Sequence, residues 1–282
     1  MRPGLKFTLV AATLSASILA PGLDFGVAQT APMPELVQLR SGAFSYRLSG
    51  EFTHDGKPAL PPVVTIRIER TLSIMRQQVT AADYRRCIDA QACPNIDEAP
   101  ASDLPVVKVN WHDAAAYAAW LSRATGEHWR LPTDEEWAYA AGGLFEDDVL
   151  PESFDGSDPG RRALARYDRD AERTGAIGKA LRPAGGFGEN ENGLLDIAGN
   201  VWEWTDTCFA RSARNGQDEA ATTTVNCGVR VAEGRHRTYM TDFIRDPRIG
   251  GCAVGTPPAN LGFRLVRDAN SWRGLRVLMS LL

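Results

Sequence analysis

"NENGLLDIAGNVWEWTD", Asn190 to Asp206, sets two carboxylates, Asp196 and Glu203, on either side of a Gly-Asn pair and follows it with two tryptophans, Trp202 and Trp204. A packing segment calls for the indoles without the charges, and a solvated loop for the charges without the indoles. A calcium ion would reconcile them, since it takes about six to eight oxygens from carboxylates and from the carbonyls of a tightly turning loop. Asp196 and Glu203 would give side-chain oxygens, Gly199 and Val201 would give carbonyls, and the tryptophans would pack below. The same letters also read as a helix, "LLDIAG", that ends at Gly199 and runs into a strand with surface acids. Spacing alone favours that second reading.

Outward from this stretch, the N-terminus has a different character. Arg2 and Lys6 lead into the uncharged run "FTLVAATLSASILA" (Phe7 to Ala20), followed by small residues at Gly26 and Ala28. This is the pattern of a secretory signal peptide, residues 1–28, cut near Ala28. The run is too short for a membrane span and lacks a stop-transfer flank, so no membrane insertion is expected. Residues 29–282 are expected to form a single domain. Hydrophobic residues at 44% and charged residues at 23% exclude global disorder. Lys and Arg are scattered under a formal charge of −4, which gives no basic face for nucleic acid.

An exported chain meets an oxidising compartment, and its cysteines are expected to pair. Cys87 and Cys93 lie close enough to be bridged at the end of a helix. Cys208 and Cys227 flank the polar insertion "FARSARNGQDEAATTTVN", which cannot build a core and gains from a staple. Cys252 is then the free thiol. Sequence alone leaves other connectivities open.

Three helix starts are legible. Thr80 precedes "AADYRRCI", Asn110 with Asp113 opens "WHDAAAYAAWLSRA", and Thr133 with Glu136 opens "DEEWAYAA". The last two are capping-box patterns, and Gly126 and Gly142-Gly143 supply the stops. Alternation in "LVQLRSGAFSYRL", in Val64, Ile66 and Ile68, and in "NLGFRLVRD" predicts strands. Between Gly143 and the opening stretch, and again after Cys208, periodicity fades. Long irregular stretches inside a compact domain are usually functional or held by something other than a ladder.

The blocks "HWRLPTDEEWAYAAGG", "NGLLDIAGNVWEWTD" and "NLGFRLVRD" resemble, in order and spacing, the signature blocks of the formylglycine-generating enzyme (sulfatase-modifying factor) family. "VQLRSGAF", "VTAADYRRCIDAQAC" and "VVKVNWHDAAAYAAWL" extend the match over nearly the whole chain after the signal. The resemblance implies an α+β fold of C-type-lectin-like kind with little regular structure and bound structural calcium. A calcium loop of the family falls on Asp196, Gly199, Val201 and Glu203.

The resemblance also breaks. Members that oxidise a substrate cysteine use a copper-binding cysteine pair, and the corresponding stretch here, "RTYMTDFIRDPRIGGC", has none. Met240 and Arg245 stand near those places, and Cys252 lies too far on. Soft copper(I) needs thiolates, so the redox cofactor remains unnamed. A branch that binds iron through histidines is not matched either. His54, His112, His128 and His236 lack helical H-x-x-x-H spacing, and His112 and His128 read as structural or supporting.

The "RDPRIGGCAVGTPPANLGFRLVRD" ending, the signal and the stapled "CIDAQAC" are similar to a periplasmic branch that matures the peptide siderophore pyoverdine. This implies oxidation of the dihydropyoverdine chromophore, with a peptide siderophore precursor and other maturation enzymes as partners. Tyr239, Asp242, Arg245, Asp246 and Cys252 occupy the segment where the family keeps its active centre. An acid there would accept a proton, and an arginine would hold a catecholate. A cysteine oxidase with a non-standard site and a non-catalytic, calcium-stabilised binding module are the alternatives.

Overall fold

The computed structural model describes residues 31–97, 99–147, 180–216, 221–246 and 260–268, with a few positions between 161 and 168. The expected signal peptide and Cys252 lie outside the described residues. In chain order these form strands β1 (Leu36–Leu39), β2 (Gly42–Arg47), β3 (Glu51–His54), β4 (Lys57–Ala59), β5 (Val63–Ile68) and β6 (Leu72–Met75), then helices α1 (Ala81–Asp89) and α2 (Trp111–Thr125). Strand β7 (His128–Arg130), helix α3 (Asp134–Ala141) and the long strands β8 (Trp202–Arg214) and β9 (Thr222–Glu233) follow. Strands β10 (Thr238–Thr241), β11 (Leu261–Gly262) and β12 (Val266–Asp268) close the order.

Helices α1, α2 and α3 begin where the caps predict. Thr80, Asn110 and Thr133 each accept a hydrogen bond from the N–H of the third residue on, and the Asp83, Asp113 and Glu136 carboxylates each accept one from the cap backbone N–H. Gly126 ends α2 in the left-handed conformation, at φ +72°, where a Cβ would be crowded. Cys87, fully buried on α1, is bridged to Cys93, and Cys208 to Cys227.

The strands build three sheets. One runs β1-β6-β12-β7, so the strand read from "NLGFRLVRD" enters between β6 and β7. The second runs β10-β9-β8-β3-β4, with β11 parallel to β8. The third is the β2–β5 pair. The region after Cys208, expected to be irregular, is instead the antiparallel β8–β9 ribbon, with register shifts around Cys208. Its outer residues, Thr222 to Gly228, are exposed on β9. Polar, threonine-rich strands of that kind lack the apolar alternation that marks a half-buried strand.

Strand β8 resolves the mixture of indole and acid. Successive residues of a strand face opposite sides. Trp202 and Trp204 enter one hydrophobic cluster with Tyr117, Trp129 and Phe263. Their Nε1 atoms donate to the carbonyls of His236 and Val109 at 3.2 and 2.9 Å. Glu203 points the other way, toward Trp137 of a second cluster, and is fully buried. Residues 194–201 before it form turns rather than the alternative helix. Asp196 and Asn200 there have φ of +55° and +65°, a region Asn and Asp enter more readily than other side chains. At Gly199 an added Cβ would lie 2.9 Å from Phe187 Cβ, so close packing against that side chain requires the glycine.

Beside α3 a buried polar cluster links the sheets. Tyr46 donates its hydroxyl to Asp134, and Arg237 reaches Asp134 at 3.3 Å and Glu233 at 3.0 Å. Burial, followed by the charge of Asp134, pushes the Tyr46 phenol upward, so it stays a donor.

Candidate functional site

The segment after β10 meets the N-terminus of α2. Asp242 is fixed through its backbone: its N–H donates to Gly228 O and its carbonyl accepts from Trp111 N–H, both at 3.0 Å. Its carboxylate, 19% exposed, then lies 3.1 Å from Nε2 of His112, whose side chain is 59% exposed. A carboxylate held on one ring nitrogen orients the imidazole. The other nitrogen, Nδ1, lies on the far side of the ring from that carboxylate.

Flat surfaces surround the pair. The Arg230 guanidinium lies 3.9 Å from the Trp111 ring centroid and donates to Asp206 O at 2.8 Å, while Trp111 Nε1 donates to Thr205 O at 3.1 Å. Partial burial raises the Asp206 carboxyl against the pull of Arg230. Phe243, next to Asp242, is 65% exposed, and its carbonyl accepts from Asn110 Nδ2 at 3.3 Å. Proton acceptor, cation over indole and bare phenyl therefore occur within one stretch of surface.

The residues read from the sequence fare differently. Asp242 reaches the surface pair. Arg245 is held by Asp113 through two hydrogen bonds, at 2.7 and 2.9 Å, and that bond is the main cause of its raised pKa. Its expected role on a catecholate is thereby taken by a structural partner at the α2 cap. Tyr239 accepts from Gly50 N–H at 2.7 Å and packs edge-on against Phe209. Asp246 is half-buried. His112 was expected to be structural or supporting, yet it forms the exposed half of the pair. Its partner lies 130 positions away, so no local spacing points to it. His128 pairs with Asp268 across β7 and β12 at 3.0 Å and does read as structural.

A sulfatase-modifying factor enzyme 1-like domain matches residues 24–269. The chain belongs to the sulfatase-modifying factor family. The mouse inactive C-alpha-formylglycine-generating enzyme 2 is 36% identical over 173 residues, covering 59% of this chain and 50% of the relative. The Streptomyces coelicolor formylglycine-generating enzyme is 32% identical over 183 residues, covering 60% and 54%. The chain spans about half the length of these curated relatives. Among solved structures, PvdO from Pseudomonas aeruginosa superposes with a TM-score of 0.51 at 19% identity, over 83% of this chain and 94% of that one, a likeness of fold. The α+β architecture, with few helices and capped turns between ladders, is that of the sulfatase-modifying factor family.

Two metals are implied by the sulfatase-modifying factor family, and the side chains test both. At the copper positions, Met240 is 1% exposed within the first core cluster and Arg245 is engaged with Asp113. Neither offers a thiolate, so a two-thiolate copper centre does not fit there. At the calcium positions, both Asp196 carboxylate oxygens turn to backbone N–H groups, of Phe187 at 2.6 Å and Gly185 at 2.7 Å. Both Glu203 oxygens carry the Arg264 guanidinium, at 2.6 and 2.7 Å. Gly199 O accepts from Gln78 Nε2 at 3.2 Å. The Gly199 carbonyl also accepts from Val201 N–H at 2.7 Å. So arranged, with its carboxylates on N–H donors and a buried cation, this set does not fit the calcium that the family resemblance implies there.

Proposed function

We propose that this chain is an exported, periplasmic oxidoreductase that matures a peptide siderophore by oxidising its dihydropyoverdine chromophore. The observation that carries the reading is the His112–Asp242 pair beside Trp111, Arg230 and the exposed Phe243. Membership of the sulfatase-modifying factor family, a fold shared with PvdO and the lack of a thiolate pair at the copper positions support it. Two disulfides suit an oxidising compartment.

In this reading Asp242 orients His112, and His112 takes one proton from the catechol-fused ring as two electrons and a second proton leave it. With dioxygen as acceptor, the two electrons and two protons end in hydrogen peroxide. Trp111 and Phe243 offer faces on which the flat ring can stack, beside the Arg230 guanidinium that Asp206 holds at 3.3 Å. Purified full chain is incubated with dihydropyoverdine and chromophore absorbance is followed. We expect His112→Ala and Asp242→Asn to lower kcat by about 100-fold, a typical loss for a positioned base, with KM little changed. Unaltered turnover in both variants contradicts the assignment.

A second reading rests on the relatives. One mouse and one bovine protein similar to this chain carry the name inactive C-alpha-formylglycine-generating enzyme 2, and another from each species carries the name formylglycine-generating enzyme. A non-catalytic module that holds the precursor would bind it without changing its absorbance.

A further inference from the structure

We propose that a side-chain amide stands in this chain where a cation would sit, and that the turn from Asp196 to Glu203 is held without calcium. Gln78 lies just before α1, is 4% exposed, and places Nε2 among three oxygens of that turn. The Asp196 carbonyl is at 3.2 Å, the Gly199 carbonyl at 3.2 Å and Glu203 Oε1 at 2.8 Å. Two carbonyls and a carboxylate converging on one point are a partial cation cage, and here the point is an N–H₂ group.

The rest of the locus is balanced around that choice. Glu203 accepts from Gln78, from Arg264 Nη2 on Oε1, and from Arg264 Nε and Trp137 Nε1 on Oε2. Arg264, fully buried, spends its remaining donors on the carbonyls of Met75, Arg76 and Leu195. Its positive charge already cancels that of Glu203. A divalent ion would add an uncompensated charge beside a buried guanidinium, where desolvation is heavy. The amide orientation matches the three oxygens around Nε2. With Gln78 reversed, its Oε1 would face three oxygens, and only a cation between them would make that arrangement favourable. In the present orientation Oε1 is buried without a hydrogen-bond partner among the described residues, so Gln78 forgoes such a bond at one end to keep three acceptors at the other.

The proposal is independent of the chemistry assigned to His112 and is tested by calcium alone. The full chain is stripped with EDTA, and its Tm is measured with and without millimolar calcium. The wild type is expected to keep its Tm within about 1 °C and to show a metal-free mass by native mass spectrometry. Gln78→Glu replaces the N–H donor by a second carboxylate facing Glu203. That variant should melt lower in EDTA and gain about 5 °C or more when calcium is added, the shift expected of a ligand well above its Kd. A wild type that loses Tm in EDTA and recovers it with calcium overturns the proposal, as does a Gln78→Glu variant no more responsive than the wild type. If Gln78→Glu does not fold, the wild-type mass and chelation result decide between the two.

Discussion

Glu233 shows how much a single buried acid contributes. It is fully buried and 3.0 Å from Arg237, yet burial, followed by the neighbouring charge of Asp134, pushes its carboxyl well above the ordinary range. One guanidinium serves two carboxyls, and Asp134 also has the Tyr46 hydroxyl. Glu233 therefore keeps a proton in the folded state that it loses in the unfolded chain at the same pH. Its contribution to stability is fully present below the ordinary glutamate pKa and is lost as pH rises toward the folded value, at up to about 1.4 kcal/mol per pH unit. Glu233→Gln holds the neutral shape at all pH values. Thermal melts from pH 5 to pH 8 should show the wild type falling relative to the variant, by about 2–4 °C for each kcal/mol. Parallel curves would contradict the protonated state. At this scale the sequence was readable for type but not for partner. Trp202 and Trp204 were recognisable as core. Glu203 looked like a metal ligand because Gln78 and Arg264, which occupy it, lie 125 and 61 positions away.

Elements whose signals are local were legible. Capping boxes at Asn110 and Thr133, the Thr80 cap and the Gly126 stop act within a single turn, so the letters carry the whole cause. The β8–β9 ribbon was not legible. Thr222 to Asn226 of its outer strand are exposed, and its pairing depends on β3 alongside and on the bridge between Cys208 and Cys227. That bridge closes a separation of 19 residues and sits at the shift in register. Replacing both cysteines by serine should remove about 3 kcal/mol, the chain-entropy value for a loop of this length. The loss should be concentrated in the ribbon, because Trp202 and Trp204 anchor its base in the core. Limited proteolysis with mass mapping should place the first new cuts between residues 209 and 226. Unchanged cutting would show that pairing with β3 alone holds the ribbon.

Across the whole molecule, fold class and family were legible because several blocks kept their order, and the match over residues 24–269 agrees with that. The candidate site was legible only in half. Asp242 lay in the expected segment, but His112 came from the start of α2, and only the fold brings the two to 3.1 Å. Where the resemblance implies an ion, the turn meets a buried Glu203–Arg264 pair and the Gln78 amide, side chains from three separate parts of the chain. Function then turns on what the altered copper positions imply. Met240 faces the core and Arg245 faces Asp113, and in the proposed reading His112 and Asp242 are the reactive groups of that surface.

The decisive measurement offers one preparation of the full chain two substrates in parallel, dihydropyoverdine and a cysteine-containing sulfatase peptide, with copper supplied to both. The account predicts the absorbance change of chromophore oxidation and an unmodified cysteine peptide by mass. Aldehyde formed on the peptide, with the chromophore untouched, would contradict it.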